Sequence, residues 1–180
     1  MYGMINNAIE QLITEKFGRQ TWEAVRQKAN VEQPTFVSMQ PYHDSVTYAL
    51  VGAASELLQI PVPDLLEKFG EYWILFTANE GYGDLMKLGG DNLPEFLKNL
   101  NMLHFRIANV MPQLVPPVFD VQDSTNNSLT LLYKSKREGL SPMVIGLIKG
   151  LGIKFQTPCT VTPLPEDEKL PGVFKYTIKW

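Results

Sequence analysis

Residues 92–111 read NLPEFLKNLNMLHFRIANVM. Pro94 suits the first turn of a helix, where its missing N–H would have no partner in any case. Beyond it, Phe96, Leu97, Leu100, Leu103, Ile107 and Val110 recur at spacings of three and four and form one apolar stripe. His104 lies inside that stripe, one turn after Leu100, so its imidazole is directed into the protein. The rhythm breaks after Met111. Pro112, Pro116 and Pro117 interrupt, and residues 118–121 and 129–136 then alternate with period two, as strands do. This change predicts an α+β fold: a helical N-terminal lobe (residues 1–111) packed on a C-terminal lobe (residues 112–180) of antiparallel sheet and helices, together one domain.

The flanking sequence extends the same pattern. Upstream, Ile5, Ile9, Leu12 and Ile13 share a helical face that Phe17-Gly18 ends, and Trp22 and Val25 mark a short second helix. Residues 34–38 read as an extended connector. Asp44 or Ser45 is expected to cap a helix carrying Val46, Leu50, Ala53, Ala54 and Leu57. Pro63 opens the next helix, with Leu65, Leu66, Phe69, Trp73 and Phe76 on its apolar side. Gly81, Gly83, Gly89 and Gly90 bracket a short piece around Leu85 and Met86. Downstream, a helix over residues 142–155 places Ile145, Leu147, Ile148 and Leu151 in the core. Strands over 159–162 and 173–178 follow, separated by a polar turn at 163–169.

Composition narrows the function classes. With 44% apolar residues in 180, the chain can bury a real core. A net charge of −3 offers no electrostatic reason to expect a nucleic acid or anionic-lipid partner. Cys159 stands alone, which excludes a disulfide framework and any cysteine-rich metal centre. No run of 18 apolar residues predicts a membrane span, and the start, MYGMINNAIEQL, lacks a basic leader, so a cytoplasmic protein is expected. Neither G-x-S-x-G, a phosphate-binding loop nor H-E-x-x-H occurs.

Two constellations carry chemistry. An interior histidine such as His104 can be a core residue satisfied by neighbouring groups, or a neutral ligand to a metal or haem iron. The only other histidine, His43, sits in the polar stretch PYHDS and is expected to face solvent. One imidazole cannot build a zinc site alone, but it suffices for a five-coordinate haem, whose porphyrin supplies four nitrogens. The second constellation is YKSKR, residues 133–137. On an extended strand, Tyr133, Ser135 and Arg137 project from one side and Lys134 and Lys136 from the other. Alone, that row reads better as an edge strand with an exposed polar face. Beside an interior histidine it offers a phenol, a hydroxyl and a guanidinium to the two carboxylates at a haem edge.

His104 within NLNMLHFRI, with Tyr133-x-Ser135-x-Arg137 beginning 29 residues later, resembles the H-NOX family, the haem nitric oxide/oxygen-binding domains. The resemblance spans essentially the whole chain, including the MYGMINNAIEQL start, and suggests a cyanobacterial-like stand-alone bacterial member. It implies haem b held between the two lobes, His104 as proximal ligand and the Tyr133, Ser135, Arg137 row on the propionates. Pro117 matches a proline that in the family presses on the porphyrin. Oxygen-holding members use a distal tyrosine donor, and its position falls here on Met143, which has no donor. Trp73, Ile5 and Ile9 are the other distal candidates, and packing alone would also account for each.

The implied function is a sensor without catalytic activity. It binds nitric oxide and carbon monoxide at ferrous haem, holds dioxygen weakly or not at all, and signals by release of His104 to a separate histidine kinase or cyclase. Two other classes compete. A peroxidase- or oxygenase-like haem enzyme needs a distal base and a charge stabiliser, for which no second interior histidine is available. A haem-free module would use an apolar cavity for a lipid or peptide.

Overall fold

The computed structural model describes residues 1–79, 83–165 and 171–180. Among these the order is α1 (Gly3–Phe17), α2 (Arg19–Lys28), α3 (Asp44–Leu58), α4 (Val62–Asn79), α5 (Gly83–Lys87), α6 (Leu93–Ala108), β1 (Val118–Gln122), β2 (Ser128–Lys134), α7 (Ser141–Lys154), β3 (Thr160–Pro163) and β4 (Val173–Lys179). The fold is α+β, as the change in periodicity predicts. The four strands form one antiparallel sheet in the order β1-β2-β4-β3, with Tyr133 opposite Phe119 on one side and Phe174 on the other. Gly81 and residues 166–169 of the expected turn lie outside the described residues. Among those described, no single helix is long and apolar enough to cross a membrane.

Local rules account for most element boundaries. Asn92 caps α6: its Oδ1 accepts from the Glu95 N–H at 2.9 Å, and the Glu95 carboxylate accepts in return from the Asp91 N–H at 3.1 Å. Five expectations differ from the structure. His43, exposed, precedes α3 without a side-chain cap bond, and Asp44 is already helical, its carboxylate committed elsewhere. β2 stops at Lys134 rather than 136. Val110 falls beyond the end of α6 and is exposed rather than interior, and Leu57 on α3 is exposed as well. Residues 34–38 form bends and a turn, not an extended run.

Two main cores organise the molecule. One joins α1, α2 and α3 to the first turns of α4 through Ile13, Trp22, Val25, Leu50, Leu65 and Phe69. The other joins the sheet to α7, α6 and the later part of α4, through Leu97, Leu129, Leu131, Ile148, Tyr176 and Ile74. α6 therefore packs with the sheet, although its sequence period groups it with the helices before it. α4 belongs to both cores and crosses α7 with the backbones in near contact. A Cβ on Gly146 would lie 1.8 Å from the Glu67 carbonyl oxygen, and one on Gly70 would lie 2.2 Å from that of Met143. Only glycine permits this approach. A Lys149–Glu67 ion pair of 2.6 Å closes the same crossing.

Candidate functional site

A cavity of about 680 Å³ opens where α1, α3, α4, α6, α7 and the end of β2 converge. Its size lies within the usual range for small-molecule sites, roughly 300–1,000 Å³. Ile5, Trp73, His104, Pro117, Tyr133 and Arg137 all border it, as do Ser135, Met143 and Ile9. The candidate haem-site residues of the sequence therefore all border the same space.

His104 enters from α6, between the buried Leu103 and the half-buried Ile107. Its Nδ1 is shielded from solvent and has no hydrogen-bond partner. Burial pushes the imidazole below its ordinary pKa, offset in part by the Pro117 backbone, so the neutral ring is the favoured form near pH 7. A buried polar atom without a partner is uncommon in a folded protein. The ring lies 6.0 Å from that of Phe119 on β1, which in turn lies 5.4 Å from Tyr133. Asn101, three residues before His104, grips the same strand: its Oδ1 accepts from the Phe119 N–H at 2.9 Å and its Nδ2 donates to the Phe119 carbonyl. The edge of β1 is thereby fastened to the helix that carries the histidine.

Tyr133 is buried at the end of β2, and burial pushes its phenol up against the opposing effects of the Ser135 hydroxyl and the Arg137 charge. Ser135 and Arg137 lie just past the strand, yet the alternation persists: they stay half-buried while Lys134 and Lys136 are exposed. The Ser135 Oγ accepts from the Arg137 N–H at 3.0 Å, which extends the strand's phase through the bend. The guanidinium does not stand free. Nε donates to Asp44 Oδ2 at 2.8 Å and Nη1 to the Val115 carbonyl at 2.7 Å. Asp44 also pairs with the amino terminus of Met1. Burial alone would raise the Asp44 carboxyl, but these hydrogen bonds outweigh it and hold the group below its ordinary value.

Much of the remaining lining is apolar. Ile5 and Ile9 come from α1, Trp73 from α4 and Met143 from the first turn of α7. Trp73 stacks on Phe76 at 5.7 Å and contacts Phe69 at 6.2 Å, so its ring is fixed by packing along its own helix. The α4–α7 crossing sets Met143 beside that helix. Three residues of the site escaped the sequence reading. Asp44 is read there only as one of two helix-cap candidates, and Phe119 and Asn101 are assigned no role.

These residues fit a haem. One imidazole borders a largely apolar cavity that also holds a cationic, hydroxyl-bearing group of residues, Tyr133, Ser135 and Arg137. A bare metal fits poorly, because the described residues hold no cluster of three or more histidine, cysteine or acidic side chains.

The comparisons agree with this chemistry. The family model for haem-NO-binding domains matches residues 2–162. Among curated proteins, the chain is 32% identical over 152 residues to the soluble guanylate cyclase gcy-35 of Caenorhabditis elegans, covering 83% of this chain and 22% of that one. It is 29% identical over 171 residues to gcy-31 of the same organism, covering 94% of this chain and 24% of that one. It thus spans about a quarter of the length of the cyclases it matches. The fold is shared with the H-NOX protein from S. oneidensis in the Fe(II)NO ligation state, at a TM-score of 0.88 and 20% identity over 99% of this chain and 98% of that one. It is shared too with the Fe(II) unliganded H-NOX protein from K. algicida, at 0.86 and 23% over 99% and 96%. The chain belongs to the haem-NO-binding (H-NOX) family, whose domains bind haem and sense gases rather than catalyse reactions.

Proposed function

We propose that this domain is a ferrous-haem sensor of nitric oxide and carbon monoxide, with His104 as the protein's ligand to the iron. The observation that carries this reading is the His104 imidazole, drawn toward its neutral form by burial, on the wall of a cavity large enough for a cofactor. Haem b, when bound, supplies an iron that takes diatomic gases. The chain supplies the rest. Tyr133, Ser135 and Arg137 would hold the haem propionates, and Pro117 and Ile5 would pack against the porphyrin. Met143 and Trp73 shape the distal wall. Methionine has no proton to give, so a ligand that needs a hydrogen bond loses roughly 1–3 kcal/mol there. That disfavours dioxygen and leaves nitric oxide unaffected.

Release of His104 frees α6 to shift against the sheet. Through the Asn101 clasp such a shift strains or carries β1, so an event in the cavity reaches the outer surface of the domain. The cyclase relatives couple this region to a longer chain, and a kinase or cyclase is the kind of effector expected here. The direct test is to titrate haem into the haem-free protein and into His104→Ala. The intact protein should saturate at one equivalent with a sharp Soret band, and the variant should show an altered ferrous spectrum that added imidazole restores. An unchanged ferrous spectrum in the variant would remove His104 from the iron.

A further inference from the structure

Helix α3 holds the segment around Arg137 twice, and only one of the two contacts involves charge. Asp44 pairs with the Arg137 guanidinium, and one turn later on the same helix face the Tyr48 hydroxyl donates to the Glu138 carbonyl at 3.0 Å. Two positions four apart on α3 thus grip two consecutive residues of the segment 135–140, which joins β2 to α7. Tyr48 is 40% exposed and borders the cavity all the same, as do Gly139 and the exposed Met39 and Val115. These residues mark a stretch of the rim where the cavity meets solvent beside Arg137.

The segment needs such an anchor. On the N-terminal side of Arg137, the Ser135 hydroxyl accepts from the Arg137 N–H at 3.0 Å. On the C-terminal side, Gly139 adopts a φ of +74°, where glycine turns without strain, and an added Cβ would meet nothing within 4 Å. Among the described residues, the Tyr48 bond is the one hydrogen bond from Glu138 or Gly139 to another element. Burial and the Asp44 charge push the Tyr48 phenol above its ordinary pKa, against the Arg137 charge, so it stays a neutral donor near pH 7. We propose that Tyr48 is a positioning residue for the propionate clamp: by tethering the Glu138 carbonyl it fixes the backbone from which Arg137 reaches the cavity. This role rests on the haem reading and adds to it the residue that places the clamp. Asp44 sets the plane of the guanidinium, and Tyr48 sets the position of its backbone. Loss of the hydroxyl leaves every charge in place and lets the segment pivot at Gly139.

The test follows haem transfer from the haem-loaded full chain to a competing haem-binding protein, in a cycle of Tyr48→Phe, Arg137→Ala and the double variant. Tyr48→Phe should speed haem loss about threefold to tenfold, the scale of one neutral hydrogen bond. In the Arg137→Ala background the same change should add nothing, because the group it positions is gone. Resonance Raman spectra of the ferrous protein give a second readout: the propionate bending band of Tyr48→Phe should move part of the way toward its position in Arg137→Ala. Ser55→Ala removes another side-chain hydrogen bond of α3, to the Ile60 carbonyl, from a residue that does not border the cavity, and should leave haem loss unchanged. An unchanged rate in Tyr48→Phe overturns the proposal. So does an equal factor in both backgrounds, or an equal effect of Ser55→Ala, since the hydroxyl would then serve stability alone. If Arg137→Ala loses haem no faster than the intact protein, the clamp reading fails and the proposal falls with it. Fast loss in Arg137→Ala beside an unaffected Tyr48→Phe refutes the proposal alone.

Discussion

Arg137 and Asp44, 93 residues apart in the chain, meet side by side at the cavity rim, with Nε donating to Oδ2 at 2.8 Å and Nη2 to Oδ1 at 3.4 Å. The carboxylate fixes the guanidinium plane, so a carboxylate entering the cavity meets a pre-set donor rather than a mobile side chain. Charge and direction can therefore be separated by substitution.

Arg137→Ala should weaken haem retention about tenfold or more, as expected for losing charge-assisted hydrogen bonds of roughly 1.5–3 kcal/mol. Lys136→Ala removes the same charge from the exposed side and should have little effect. Asp44→Asn should fall between them, because it loosens Arg137 without deleting it. Rates of haem transfer to a competing haem-binding protein measure all three. Equal losses for Arg137 and Lys136 would mean that general charge, not orientation, holds the propionates.

The buried His104 gives the haem-free protein a pH signature. Its pKa in the folded chain lies below the ordinary value of 6.5, with burial the main cause. The unfolded chain therefore binds the proton more readily, and stability must fall as pH drops below about 6.5, by at most about 1.4 kcal/mol per pH unit from this group. Above that pH the contribution is fully present. Urea midpoints for the haem-free protein and His104→Gln, compared from about pH 7.5 down to 5, isolate it: the difference between the two should change with pH in this sense and be flat above neutrality.

The α4–α7 crossing predicts a contrast between two glycines in helices. Gly146→Ala drives a methyl into the Glu67 carbonyl and should cost about 2 kcal/mol or more, as overpacking does when backbone must move. At Gly52 on α3 an added Cβ meets nothing within 4 Å, so Gly52→Ala should stabilise by a few tenths to about 1 kcal/mol through helix propensity. Denaturant midpoints of the two variants should move in opposite directions.

Much of this was legible in the sequence because it rests on period. His104 inside a three-and-four stripe, and Tyr133, Ser135 and Arg137 at alternate positions, place their side chains whatever the details of packing. That is why Ser135 and Arg137 keep their direction although β2 ends at Lys134. What escaped depends on distant partners. Asp44 carries a good capping side chain, and only the fold shows that Arg137 and the amino terminus claim it. Asn101 looks like solvent-facing polarity until β1 is laid along α6 and needs its edge satisfied. Val110 fits the stripe by spacing, but α6 ends at Ala108, so spacing no longer governs it.

The proposed ligand choice turns on Met143. Met143→Tyr places a phenol where the methionine offers no donor, and should give at most a partial gain in dioxygen affinity, because a new donor must be held in a productive rotamer and Trp73 borders the same cavity. Autoxidation rates and oxygen titrations of the ferrous variant read the gain.

The central claim is that the ferrous protein has His104 on the iron and no distal donor for oxygen. Its most direct test is the ultraviolet–visible spectrum of the ferrous protein in argon, air, carbon monoxide and nitric oxide. The account predicts matching spectra in argon and freshly admitted air, a shifted band in carbon monoxide, and complete conversion by nitric oxide at low concentration. A stable, reversible dioxygen spectrum in air would contradict it, since the donor would then have to come from Trp73 or an ordered water and the wall around Met143 would not be what selects the gas.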